Sequence, residues 1–194
     1  MPTARVSGGP SQPAHHVALL RAVNVGGRSL PMAELAAIFL DLGASEVQTY
    51  IQSGNVLFAA RPDDVARIVG QAVGAIRDRH GYDAPMAVRT LAELDAAIAA
   101  NPFAGAERGA GPEPLHVMYL DRLPDPARVA ALDPDRSPPG RFAVVGREVF
   151  LHLPHGAGQS KLTVDWFDRQ LGVTATARNW RTTQKLRDLL AERG

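Results

Sequence analysis

An apolar run ends in Asn24-Val25-Gly26-Gly27, and a second turn, Ser53-Gly54-Asn55, separates two further apolar stretches. A strand that leads through a flexible glycine pair into a helix is an arrangement in which backbone N–H groups and the helix N-terminus can hold an anion. The spacing matches neither the G-x-G-x-x-G dinucleotide fingerprint nor the G-x-x-x-x-G-K loop. Gly26 and Gly27 also suit a tight connection with positive φ, so turn geometry and ligand contact are both open for them. Arg28 adds a cation beside the pair. Arg21 shares a parity with Val17, Leu19 and Val23. Its guanidinium either enters a covered interface, where it needs a carboxylate or a ligand anion, or escapes at the strand end.

Gln48, Tyr50 and Gln52 form one polar parity that runs into Ser53 and Asn55, gathering neutral hydrogen-bonding groups at one end of a sheet. Gly54-Asn55 is equally a hairpin turn pair. Ser160-Lys161 follows a Gly-containing loop and opens an expected helix; Ser160 is placed to cap it, and Lys161 sits where the helix dipole favours anions over cations. That mismatch makes Lys161 a candidate for a phosphate or carboxylate contact, with a solvated Lys as the alternative. Arg178-Asn179-Trp180 joins a planar cation, an amide and an indole, either to stack on a ring or to anchor a helix through Trp180 with Asn179 at the turn.

The chain carries 19 Arg but only two Lys, Lys161 and Lys185, and only four Asn: Asn24, Asn55, Asn101 and Asn179. Richness in Ala, Gly, Pro and Arg is what a GC-rich genome produces, and Lys and Asn that persist against that drift are candidates for specific roles. No catalytic residue follows. His152 and His155 straddle a Pro, and His15-His16 adjoins the N-terminal segment, so neither pair has metal-ligand geometry. Ser53 and Ser160 have no evident base. Neither a metal nor a cofactor is expected, and whether the chain is an enzyme is open.

With 194 residues and 45% hydrophobic content, the chain can bury a substantial core without staples. It has no cysteine, as suits a reducing cytoplasm. Residues 1–14 are rich in Pro, Gly and Ser and read as a mobile tail, and no apolar run reaches membrane length. A formal net charge of +1 is too balanced for a protein that grips a polyanion by field alone.

These motifs must be positioned by a β-α-β-β-α-β unit. A strand is expected over residues 16–23, a helix behind Pro31, a hairpin turning at Ser53-Gly54-Asn55, a helix behind Pro62 and a strand over 85–90. Thr90 and Glu93 form a capping-box pattern for a further helix. Residues 104–114 read as a linker between 15–103 and a second α+β subdomain, 115–194. That second half holds a strand at 115–120, a short helix near 127–132 and a hairpin turning at Gly146-Arg147. A helix over 160–171, a strand near 174–178 and a last helix after Thr182 complete it. The first strand is apolar on both parities, so something beyond its own helices covers it.

The segments Ala18-Leu-Leu-Arg-Ala-Val-Asn-Val-Gly-Gly27, Thr49-Tyr-Ile-Gln-Ser-Gly-Asn-Val-Leu-Phe58, Asn101-Pro-Phe103, Ser160-Lys-Leu162 and Arg178-Asn-Trp180, followed by Lys185-Leu186, occur in this order over about Val17 to Leu190. In order and spacing the chain resembles a bacterial family catalogued as domain of unknown function 1697. That pattern usually has Gly where this chain has Ala22 and Ile where it has Val23. The resemblance implies a pair of ferredoxin-like α+β subdomains and carries no catalytic residue with it.

The expected fold is therefore α+β, with two ferredoxin-like subdomains whose mixed or antiparallel sheets pack against each other. The leading functional expectation is a small anionic, phosphorylated or nucleotide-like ligand at the junction of the halves, bound by Arg21, Asn24, Gly26, Gly27, Ser53, Asn55, Lys161, Arg178 and Asn179. The alternatives are a single-stranded nucleic-acid-binding module, less favoured on charge and on the first strand's lack of aromatics, and a non-catalytic protein-interaction scaffold. No membrane association is expected, and no oligomeric state is set by the pattern.

Overall fold

The structure, a computed structural model, describes residues 12–105 and 114–193. The first half runs β1 (Ala14–Leu20), α1 (Met32–Asp41), β2 (Ser45–Tyr50), β3 (Asn55–Ala60), α2 (Pro62–His80), β4 (Met86–Thr90) and α3 (Leu91–Ala99). The second repeats that order as β5 (Leu115–Leu120), α4 (Pro126–Ala130), β6 (Arg141–Val145), β7 (Glu148–His152), α5 (Val164–Leu171), β8 (Ala175–Asn179) and α6 (Trp180–Ala191), with one 3₁₀ turn at Ala157–Gln159. Both sheets are antiparallel, ordered β2-β3-β1-β4 and β6-β7-β5-β8, which is the same order twice. The fold is thus α+β, made of two ferredoxin-like halves. Much of the expected tail lies outside the described residues, and Ala14, its last residue, pairs with Ala60 in β1. Residues 106–113 of the expected linker also lie outside them.

The doubly apolar first strand finds its cover in three buried clusters. Ala18 and Leu20 face α1 and α2, joined by Phe39, Phe58 and Ile76. Val17 and Leu19 face the other way, into a cluster shared with Val117 and Tyr119 of β5, Leu94 of α3 and Trp180 and Leu186 of α6. Outside the second sheet, Met118 and Leu120 pack on Trp166, Phe167 and Leu171 of α5. The two halves therefore share one apolar interior. Among the described residues, no helix is long and apolar enough to cross a membrane.

Local chemistry sets most boundaries where the sequence places them. Pro62 opens α2 with Asp63 and Asp64 in its first turn, and Gly81 closes it in the left-handed conformation, its N–H donating to the Arg77 carbonyl at 2.8 Å. Thr90 and Glu93 form the expected reciprocal capping box of α3. Of the boundaries that move, three have a clear local cause. β1 ends at Leu20 because Ala22 and Asn24 take positive φ, 55° and 54°. α5 starts at Val164 and not at Ser160, because Thr163 accepts the capping bond from the Trp166 N–H while the Ser160 hydroxyl accepts from the Leu162 N–H two residues on. α6 starts at Trp180, two residues before Thr182, because Asn179 accepts from the Thr182 N–H.

Candidate functional site

The β1–α1 connection runs through residues 21–31, whereas its counterpart after β5 needs only 121–125. The longer connection forms one wall of a cleft of about 510 Å³ between the halves, opposite the start of α5 and the strand β8. Asn24 closes this loop on itself. Its amide donates to the carbonyls of Leu30 (3.0 Å) and Gln52 (2.8 Å), and its side-chain oxygen accepts from the Leu30 N–H (2.8 Å). The loop is thereby tied to the β2–β3 turn. Positive φ recurs at alternate residues, Ala22, Asn24 and Gly26, and again at Gly27. Both glycines are exposed, with open space where a Cβ would stand, so the backbone conformation alone asks for glycine there. Gly54 is different: besides φ of 69°, a Cβ would collide with Val23 and Leu20.

The floor of the cleft is Arg178, in β8 and 7% exposed. Its Nε donates to Asn55 Oδ1, Nη1 donates to Thr176 Oγ1 (2.9 Å) and the Ala177 carbonyl (2.8 Å), and Nη2 reaches the carbonyls of Leu20 (2.9 Å), Ser53 (3.0 Å) and Gly54 (3.1 Å). Asn55, fully buried, also donates to the Tyr50 carbonyl at 3.0 Å. An arginine of the second half thus holds the end of β1 and the β2–β3 turn of the first.

Arg89 makes the mirror contact. It pairs in register with Val17 of β1, as Arg178 pairs with Val117 of β5. Its Nη1 donates to the preceding carbonyl, Val88, and its Nη2 to the carbonyls of Leu120 and Arg147, the counterparts of Leu20 and Gly54. The two clamps differ at Nε. Arg89 meets the Glu148 carboxylate at 2.8 Å, at the first residue of β7, whereas Arg178 meets the Asn55 amide, at the first residue of β3. One clamp is neutralised; the other holds a buried cation among neutral acceptors. Burial pulls the Arg178 guanidinium down to about 10, partly opposed by Tyr119, so it stays charged at neutral pH. Tyr119, pushed up to about 12 chiefly by burial, stays neutral and donates to Thr183 Oγ1 at 3.0 Å.

Arg21, at the cleft wall, is bound by the carboxylates of Asp165 and Asp168 on α5. Asp168 is anchored in turn by the Ala175 N–H at 2.9 Å, while Asp165 is largely exposed. Arg28, exposed at the rim, lies 5.2 Å from the centre of the Tyr82 ring. Arg21, Ser53 and Arg178 therefore line the cleft directly, Asn24 and Asn55 hold its walls, and Gly26 and Gly27 lie on its loop. Asn179 caps α6. Lys161 is not among the lining residues; its exposed side chain follows a backbone N–H that donates to Ser137 Oγ (3.0 Å), beside a separate recess of about 160 Å³ bordered by Ser160. The expected first-turn placement of Lys161 fails because Thr163, and not Ser160, caps α5.

Sequence reading passed over Arg89, Glu148 and the aspartates of α5. A signal for the paired clamps was present: Ala87-Val88-Arg89-Thr90 and Thr176-Ala177-Arg178-Asn179 each end a strand with Arg followed by a helix N-cap.

Residues 14–150 match the family model described as protein of unknown function (DUF1697). The chain belongs to this family. A solved structure, that of the conserved bacterial protein SP0830 from Streptococcus pneumoniae, aligns with a TM-score of 0.70 at 20% identity, over 92% of this chain and 99% of that one. At that identity the likeness concerns the fold. Comparison with curated proteins finds no match. The DUF1697 match takes in the β1–α1 loop, the β2–β3 turn and the Arg89–Glu148 clamp, while Arg178, which completes the cleft, lies beyond its end.

Proposed function

We propose that this DUF1697 protein binds a small anion in the cleft between its halves. The observation that carries the reading is the charge difference between two otherwise matching clamps: Glu148 neutralises Arg89, and among the described residues no carboxylate neutralises Arg178. A buried cation without a counter-charge keeps a positive field in the low-dielectric space beside it. All N–H groups of Arg178 are occupied, so the guanidinium acts through its field. Direct contacts fall to Arg28, the Ser53 hydroxyl and the amides of the 22–27 loop, where positive φ at alternate residues is the backbone pattern from which anion nests are built.

A scaffold reading draws support from the internal partners of Arg21, Asn24, Asn55 and Asn179. The nucleic-acid reading loses its platform, since the central strands of both sheets are covered on both faces. Calorimetric titration with inorganic phosphate separates the first two readings. Wild type is expected to bind, and Arg28→Ala, at an exposed rim position, to bind at least about tenfold more weakly with an unchanged melting temperature. Absence of binding to wild type at low salt would favour the scaffold.

A further inference from the structure

The cleft is far larger than a bare oxyanion. Its volume of about 510 Å³ lies in the range of pockets that enclose whole small molecules. Its walls are also divided by chemistry. Arg28, Ser53 and the field of Arg178 supply the polar lining, while Val25, Val164 and Ala177 supply accessible aliphatic surface over the buried Leu20 and Val23. Val25 is 57% exposed, a large apolar side chain held at the rim by a loop that Asn24 ties to Leu30 and to Gln52 of the β2–β3 turn. Nothing in the core needs it there. Among the described lining residues none is aromatic, and the nearby amides, Asn24 and Asn55, are committed to internal bonds. Among the lining residues a nucleobase would find no ring to stack on and no side-chain amide to read its edge.

Resting on the anion-binding reading above, we infer that the ligand is an amphiphilic oxyanion, a phosphate or carboxylate bearing an alkyl or aryl body, and not a nucleotide. The oxyanion lies toward Arg28 and Ser53; the body covers Val25 and Val164. Asp165, exposed and sharing Arg21 with the better-anchored Asp168, marks the acidic side that the oxyanion avoids.

Titrations with inorganic phosphate, phenyl phosphate and adenosine monophosphate, followed by calorimetry on the intact protein, test this. Phenyl phosphate is expected to bind about tenfold more tightly than inorganic phosphate, because the ring buries apolar surface on the valines, and more tightly than adenosine monophosphate. Val25→Ser, at an exposed position, should bring the phenyl-to-inorganic ratio down toward one. Equal affinities for the two phosphates, a preference for adenosine monophosphate, or an unchanged ratio in Val25→Ser would each overturn the inference while inorganic phosphate still binds. Failure of all three probes to bind would instead overturn the anion-binding reading on which it rests.

Discussion

Arg178 forms six hydrogen bonds from five N–H groups, and five of the six acceptors are carbonyl or amide oxygens. Such saturation makes its side chain irreplaceable even by lysine, which keeps the charge but offers three donors without the planar fork. At roughly 1 kcal/mol for each bond lost, Arg178→Lys is expected to lower the unfolding free energy by about 2–3 kcal/mol, measured by urea denaturation. A second buried group has the opposite character. His16 lies against Phe58, and burial lowers its pKa below 6.5, outweighing the Ala60 carbonyl and Glu93. Below 6.5 the unfolded chain takes up a proton that the folded chain refuses, so stability falls with pH until the folded pKa is passed. His16→Leu is expected to reduce this acid sensitivity, seen as a smaller loss of urea midpoint between pH values just above and well below 6.5.

Helix ends show where residue chemistry was legible and where it was not. The Thr90–Glu93 box, Pro62, Gly81 and Gly172 act within four residues of themselves, and each does in the fold what its sequence context implies. Ser160 and Thr163 illustrate the limit: two hydroxyl residues three apart both offer a cap, and only the packing of Trp166 and Phe167 beneath α5 selects the later one. Moving that boundary removed Lys161 from the helix and from the cleft. The clamps were legible only in part, for a different reason: the strand-end Arg before a helix N-cap recurs in the sequence, but its partners do not. Arg178 meets Asn55 across 123 positions, and nothing local distinguishes a strand-end arginine that crosses to the other half from one that turns to solvent. At this scale Asn179→Ala tests the cap of α6, with an expected loss of about 1 kcal/mol in chemical denaturation and no change in anion affinity.

Taken whole, the molecule is a duplicated sheet-and-helix unit locked by reciprocal arginines, and the duplication is broken where the cleft lies. The first half has the longer strand-to-helix connection and an amide at the clamp; the second has the short connection and a carboxylate. Because the halves share one buried cluster, they are expected to unfold together, with coincident far-ultraviolet circular dichroism and tryptophan fluorescence transitions. Two separated transitions would mean that the clamps and the shared cluster do not couple the halves. The most direct test of the functional reading is to restore the symmetry of charge. Asn55→Asp gives Arg178 the counter-charge that Glu148 gives Arg89, while losing the amide's bond to Tyr50. Calorimetric titration of inorganic phosphate, with melting temperatures recorded for both proteins, is expected to show a folded variant whose affinity is at least about tenfold below wild type. A folded variant that binds phosphate as wild type does would contradict the assignment of the cleft's affinity to the uncompensated arginine.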